Sequence, residues 1–342
     1  MKKNKKRCVI SGYYGFKNFG DEAILSVLVN KLQKDGHTVT VISSNPNYTK
    51  SKFSHVLSFK TFDFKNIIAA IFKSQVIISG GGSLLQDITS KKSLLYYLSI
   101  IFLGLILRKQ VIIFAQGIGP INNKLCLYLT MALLKLCKYV SVRDQKSYEI
   151  LKKNGISADL LCDPIFSLRI QEVKKEKKIA IQLRNCKGMN ADFINRLADT
   201  VCKNFPGYGI DIYSFQDEID YNTCELFEKN LNMLDPDMKT KLYSQLTNEE
   251  IIQNISKAEY LIAMRFHAII IGLLTSTKTL AINYDIKVEK LASEFELPII
   301  NMRTDHKKQF KELKEQNTEK NASLAKSKEF DWSCFESAME WE

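Results

Sequence analysis

Residues 7–25 read RCVISGYYGFKNFGDEAIL. The apolar run CVIS at 8–11 is followed by Gly12, Gly15 and Gly20, and a helical pattern begins at Asp21-Glu22. Strand, glycine-bearing loop and helix form the opening step of a parallel α/β sheet, where ligands bind beyond the carboxyl ends of the strands. The loop is neither G-x-x-x-x-G-K-[ST] nor G-x-G-x-x-G, and it places carboxylates where a phosphate loop would carry lysine. Asp21 and Glu22 have a structural explanation, since acids in a first helical turn oppose the helix dipole and cap free N–H groups. The sequence also sets Tyr13, Tyr14 and Phe16 on the loop, where we expect them exposed. Aromatic rings beside acids and the Asn18 amide suit the face and hydroxyls of a sugar.

Working outward, the same alternation continues along the chain. Apolar runs at 8–11, 38–43, 75–79, 110–115 and 139–143 alternate with helical patterns near 21–35, 63–73, 91–107, 123–137 and 144–154. After LLCDPIFSL (160–168) and a lysine-rich stretch, strands are expected at 178–184, 210–215, 260–265 and 279–284. Helices follow near 190–204, 218–230, 248–257, 267–275, 286–296 and 305–318. This pattern calls for two Rossmann-like α/β domains facing a central cleft. We expect residues 1–168 and 179–329 to form these domains, with 169–178 as a solvated linker. The tail 330–342, DWSCFESAMEWE from Asp331, is amphipathic and suited to packing on the first domain.

Further motifs lie at strand ends. In ISGGGSLLQD (78–87), Gly80, Gly81 and Gly82 allow close approach of a ligand, or make only a tight turn, and Asp87 lies a turn beyond. AQGIGPI (115–121) brings Gln116 to the end of the next strand. In SVRDQKS (141–147), Arg143-Asp144 reads either as a surface ion pair or as a ligand contact. YLIAMRFHAIIIGLL (260–274) carries Arg265 and His267 from a strand straight into a hydrophobic helix. Arginine offers a planar donor fork for carboxylate or phosphate, and a helix N-terminus adds N–H groups and a positive dipole end. Arg184, ending KIAIQLR, supplies a second guanidinium. His267 is one of only 4 histidines, and its place beside Arg265 favours a functional role over a structural one.

The chain has 342 residues, 45% of them apolar, and a net charge of +12. That balance favours an acidic partner, but no recognition motif or compact basic helix points to nucleic acid. The lysine clusters at 1–7 and 171–178 read as solvated, with the first able to sit near anionic lipid. The 8 cysteines show no C-x-x-C pair. Buried free thiols in a reducing, cytoplasmic setting explain them, and no secretory signal precedes the first strand. The uncharged run 93–107 is shorter than the roughly 20 residues a spanning helix needs. It suits a buried helix or one lying at a membrane surface.

Taken together, SGYYGFKNFGDEAIL, ISGGGSLLQD, SLLYYL, AQGIGP, SVRDQKS, CDPIF, AMRFHAII and NYDIKVEKLASEFELP resemble the polysaccharide pyruvyl transferase family, most closely its CsaB type. The resemblance covers residues 7–301. It implies a GT-B-like architecture and transfer of pyruvate from phosphoenolpyruvate, a substrate, to two hydroxyls of a sugar as a 4,6-linked ketal, with no cofactor or metal. The implied acceptor is N-acetylmannosamine in a lipid-linked precursor of a secondary cell-wall polymer that anchors surface-layer proteins, modified at the inner membrane face. On this basis Arg265, His267, Arg184 and Arg143 are expected to bind donor. His267, Asp21 and Glu22 supply acid or base. Tyr13, Tyr14, Asn18, Gly80, Gly81, Gly82, Asp87 and Gln116 face the acceptor. The alternatives are a glycosyltransferase of the same fold using a nucleotide sugar and a non-catalytic polysaccharide-binding module.

Overall fold

The computed structural model describes residues 5–303 and 306–340. Residues 1–4 of the basic N-terminal cluster therefore lie outside the described residues; of the rest, Lys6 is buried rather than solvated and Arg7 opens the first strand. The chain divides into one unit of Met1–Ser167 with Glu329–Glu342 and a second of Leu168–Lys328.

The strands of the first unit are β1 (Arg7–Ser11), β2 (Thr38–Ser43), β3 (Leu57–Lys60), β4 (Val76–Gly80), β5 (Gln110–Gln116), β6 (Tyr139–Val142) and β7 (Asp159–Leu160). They form one parallel sheet in the order β3-β2-β1-β4-β5-β6-β7. Those of the second unit are β8 (Glu176–Gln182), β9 (Gly209–Tyr213), β10 (Thr240–Tyr243), β11 (Ala258–Ala263), β12 (Lys278–Asn283) and β13 (Ile299–Asn301). Their order is β10-β9-β8-β11-β12-β13. The two sheets share one winding. In each, the chain lays down three strands in one direction, returns past the first, and continues the other way. The order therefore reverses between β1 and β4 in one sheet and between β8 and β11 in the other, and this is where such sheets open a crevice for ligand.

Parallel strands are covered by helices on both faces, so their interiors run continuously apolar. Val9, Ile10, Ile77, Ile78 and Ile112 are almost wholly buried, as are Ile179, Ile181, Leu261 and Ile262. Loops of varied length carry the chain from the strand ends into the helices, and most of the residues singled out from the sequence lie in or beside them. The uncharged segment becomes the helix Lys91–Ile106, which buries Leu94, Leu98 and Ile101 against the sheet. No described helix is long and apolar enough to cross a membrane.

The last described segment returns to the first unit. Phe114, at the end of β5, lies 5.1 Å from the Phe330 ring, 5.5 Å from Trp332 and 5.3 Å from Phe335. Lys31 pairs with Glu336, and Lys6 donates to the Met339 carbonyl. Burial of that aromatic cluster explains why an amphipathic tail comes back across the chain.

The stretch expected as a solvated linker differs from that expectation. Strand β8 begins at Glu176, so the last residues of 169–178 are sheet. Lys175 is tied down as well, its Nζ donating to the carbonyls of Ser256 and Thr275 and to Thr277 Oγ1 at 2.8, 2.9 and 2.6 Å. Burial pushes its pKa down to about 8. Lys175→Met should destabilise the protein by about 1–2 kcal/mol in urea titration, because it strands buried acceptors. The amine's folded pKa lies below its unfolded value, so burial penalises the folded state as pH falls through about 8. The variant's deficit should then be largest in alkali and narrow toward neutrality. A deficit that widened on acidification would contradict this account. None of the 8 cysteines forms a disulfide, but only Cys8, Cys126 and Cys224 are buried and Cys334 is exposed. Burial therefore accounts for a minority of them.

Candidate functional site

Each sheet gathers polar groups at its reversal point. In the second unit β8 and β11 are parallel neighbours, with Gln182 opposite Ala263. Gln182 is fully buried at the end of β8, and its Oε1 accepts from the Arg265 backbone N–H at 2.7 Å. Its own amide donates to the Leu183 carbonyl at 2.7 Å. The strand end is thereby fixed, and Arg265 becomes the N-cap residue of the helix Phe266–Leu274, which has no side-chain cap.

The Arg265 guanidinium is not an open fork. Nε and Nη2 donate to the two carboxylate oxygens of Asp220 at 2.9 and 2.8 Å, and Nη2 also reaches Gln216 Oε1 at 3.3 Å. Asp220 is fully buried and Arg265 only 8% exposed. This corrects the expectation that the bidentate edge awaits a ligand. A carboxylate already fills it, and Nη1 is left without a hydrogen bond among the described residues. Arg184 lies just past the end of β8. Its Nη1 donates to Tyr284 Oη at 3.3 Å, its guanidinium rests 5.4 Å from the Tyr284 ring centre, and its Nε is buried with no acceptor. His267, half-buried, is the second residue of the helix and meets Phe266 edge to face at 5.2 Å. The structure thus brings Arg184, Arg265 and His267 together. Asp220, Gln216, Gln182 and Tyr284 are members that the sequence did not single out.

In the first unit the glycine motifs interlock. Tyr14 is buried and donates through its hydroxyl to the Gly80 carbonyl at 2.6 Å. This is a correction: the ring is a strut between the first loop and the end of β4, not an exposed sugar platform. A Cβ on Gly12 would lie 2.3 Å from the Tyr14 ring, so only glycine fits beneath it. Tyr13 stacks on Phe16 at 4.1 Å and 6°, and these two do reach solvent. Asn18 caps the helix Phe19–Lys34 by accepting from Gly20 N–H at 3.1 Å. Gly82, with φ +70, approaches Asp21 so closely that a Cβ would lie 2.5 Å from Oδ1. Gly81 N–H donates to the Phe114 carbonyl at 3.1 Å, and Gly117 N–H to the Gly82 carbonyl at 2.9 Å. Gln116 is fully buried, donates to Ser79 Oγ at 3.3 Å, and leaves its Oε1 without a partner.

Other expected site residues have structural duties. Glu22 is fully buried, and its Oε1 accepts from Gly15 N–H at 2.7 Å. It holds the loop from behind and is poorly placed to meet a sugar. Asp87 accepts from Asn122 and Asn123 N–H at 2.8 and 2.7 Å, so both oxygens serve the turn before the helix Lys124–Leu134. Arg143 pairs with buried Asp163 at 2.6 Å and approaches Ser83 Oγ at 3.4 Å. Its ion-pair partner is Asp163, not Asp144. Asp144 caps the next helix by accepting from Ser147 N–H at 2.9 Å. Of the two residues of this unit expected to act as acid or base, Glu22 is buried and Asp21 half-exposed at the strand ends.

Burial pushes the Glu22 carboxyl above its ordinary value, against the pull of Lys52 and the Gly15 N–H. A carboxyl raised in this way favours folding at pH below its unfolded value, and that contribution vanishes as pH rises through the folded value. Glu22→Gln carries no charge at any pH. Its melting temperature relative to wild type should therefore be most favourable at neutral and alkaline pH, with the advantage shrinking in acid. An advantage growing toward acid would contradict the burial argument.

Solved structures of similar fold are enzymes of nucleotide-sugar chemistry. UDP-GlcNAc 2-epimerase from Neisseria meningitidis, bound to UDP-GlcNAc, aligns with a TM-score of 0.62 at 11% identity, over 93% of each chain. The Methanocaldococcus jannaschii UDP-GlcNAc 2-epimerase gives 0.63 at 9% identity, over 94% of this chain and 98% of that one. An alpha-glucosyltransferase in complex with UDP and a 13-mer DNA gives 0.56 at 11% identity, over 98% of both. At such identities the likeness establishes two parallel-sheet α/β units of the GT-B kind and nothing of the chemistry. No curated protein matches the chain by sequence. The polysaccharide pyruvyl transferase family model matches residues 18–286. That span runs from the Asn18 cap through the interlocked glycines and Arg184 to Arg265 and His267, and it places the chain in the polysaccharide pyruvyl transferase family.

Proposed function

We propose that the chain transfers the pyruvyl group of phosphoenolpyruvate to two hydroxyls of a sugar, forming a 4,6-linked ketal and releasing phosphate. The acceptor we infer is N-acetylmannosamine on a lipid-linked cell-wall polymer precursor, the class implied by the CsaB-like motifs. The observation that carries this reading is the pair of uncommitted guanidinium donors at the end of the second sheet. Arg184 Nε is buried without an acceptor beside Arg265, whose Nη1 makes no bond among the described residues. A buried donor left unmet in a native fold, as Arg184 Nε is, calls for a partner. A ligand with a carboxylate and a phosphate supplies acceptors for it and for Arg265 Nη1.

The chemistry follows from those groups. His267 delivers a proton to the methylene carbon of the enol ester, which leaves C2 cationic. The first sugar hydroxyl adds to C2 and gives up its proton to a general base. The C2–O bond to phosphate then breaks, with the electron pair leaving on phosphate. The second hydroxyl adds to C2, its proton leaves with the phosphate, and the ring closes. The sum is phosphoenolpyruvate plus diol giving cyclic ketal plus inorganic phosphate. Asp220 and Gln216 hold the Arg265 plane, and the helix N-terminus adds its dipole. The nucleotide-sugar alternative asks for an acid free to grip a ribose, whereas both oxygens of Asp220 are taken by Arg265.

The test is phosphate release from phosphoenolpyruvate in the presence of a lipid-linked disaccharide bearing N-acetylmannosamine. Product mass should rise by one pyruvic acid less one water. Turnover of a UDP-sugar with no reaction of phosphoenolpyruvate would overturn the assignment.

A further inference from the structure

We propose that the outer face of three helices in the first unit docks onto an anionic membrane surface. The helices are Phe64–Lys73, Lys91–Ile106 and Lys124–Leu134. They connect β3 to β4, β4 to β5 and β5 to β6, steps in the same direction across the sheet. Right-handed crossovers therefore place all of them on one sheet face. The middle helix packs against both others. Phe62, before the first helix, lies 4.8 Å from Tyr96 of the second, and Lys109, after the second, donates to the Phe72 carbonyl at 2.8 Å.

The outward positions of a soluble domain's helices are normally polar. Here they are not. Phe64, Ile68 and Phe72 are exposed on the first helix, and Leu95, Phe102 and Ile106 on the second. Leu95, Ser99, Phe102 and Ile106 fall on one stripe by helical spacing, and all are exposed. Leu125, Tyr128 and Leu136 continue the face across and just past the third helix, at 65%, 70% and 67% exposure. Contiguous apolar surface of this kind marks an interaction site.

Charge identifies the occupant. Between positions 64 and 138 the sequence has nine basic residues and a single acid, Asp87. Asp87 has both oxygens engaged by backbone N–H groups. Lys73, Lys91, Lys92, Arg108, Lys124 and Lys135 are exposed at the helix ends. An apolar stripe edged by lysines, with no countercharge, fits an anionic headgroup layer, the aliphatic stems running along the apolar part and the amines reaching phosphates. A second copy fits less well, because a two-fold contact would set this basic face against itself. The helices are too short to span, so the face lies on the bilayer.

Sedimentation of the full chain with vesicles, without substrate, tests this independently of the transfer reaction. Wild type should pellet with vesicles of phosphatidylcholine and phosphatidylglycerol, and much less with phosphatidylcholine alone. Phe72→Ser, Phe102→Ser and Tyr128→Ser combined should lower partitioning more than about tenfold. Lys91→Gln and Lys92→Gln should each lower it about fivefold, on the anionic vesicles only. Met233→Ser, at an apolar position 79% exposed in the second unit, should change nothing. The exposed substitutions should leave the thermal melt in place, and the lysine variants report on the face even if the triple variant melts early. The proposal is overturned if wild type stays in the supernatant with anionic vesicles, or if the lysine variants pellet as wild type does. It is equally overturned if sedimentation velocity shows a dimer that the triple variant abolishes.

Discussion

Replacing His267 with glutamine is expected to lower turnover by about 100- to 10,000-fold, the range lost when a positioned general acid is removed. Glutamine keeps a polar side chain of similar reach but cannot pass a proton to carbon. The KM for phosphoenolpyruvate should move little, since Arg184 and Arg265 carry the anion. His267 is the second residue of its helix and half-exposed, and the helix core below it begins at Ala268, so the melting temperature should hold. Steady-state kinetics with phosphate detection reads this directly. A normal kcat with a raised KM would reassign His267 from proton donor to binding residue.

Asp220→Ala is expected to cost about 3–5 kcal/mol of stability, because it leaves a buried guanidinium without its counterion. Both Asp220 oxygens hold Arg265, and neither residue is more than 8% exposed. The loss should be partly recovered by phosphate or phosphoenolpyruvate, which would supply the missing negative charge. Chemical denaturation with and without the ester measures both effects. Stability equal to wild type would show that the ion pair does little. A loss insensitive to the ester would separate Arg265 from the donor site.

Most of the scaffold was legible because its central strands are buried on both faces. Runs such as TVTVIS and QVIIFA have no competing interpretation, and the structure gives β2 and β5 nearly residue for residue. The strands that escaped, β3, β7, β10 and β13, lie at the two margins of each sheet. A margin strand pairs on one side and is half-solvated, so LSFK, DL, TKLY and IIN carry no long apolar run.

The site was legible in part, and for a related reason. Arg265 and His267 stood out because charge follows an apolar strand directly. Asp220 did not, since Asp217, Glu218 and Asp220 all look like ordinary acids of a first helical turn. Only the fold shows that one is buried against an arginine distant in sequence. Tyr14 misled in the opposite sense. An aromatic on a glycine loop reads as exposed, but Gly12 makes the space into which its ring folds. The opening carboxylates separate likewise: Glu22 turns inward to Gly15, and Asp21 stays at the strand ends beside Gly82.

The central claim is that the enol ester binds at the carboxyl ends of β8 and β11. A crystal soaked with phosphoenolpyruvate tests it most directly. The account predicts its anionic groups within about 3 Å of Arg184 Nε and Arg265 Nη1, with the methylene carbon toward His267. Density for the ester elsewhere on the chain, or a saturating soak that leaves these guanidiniums bare, would contradict it.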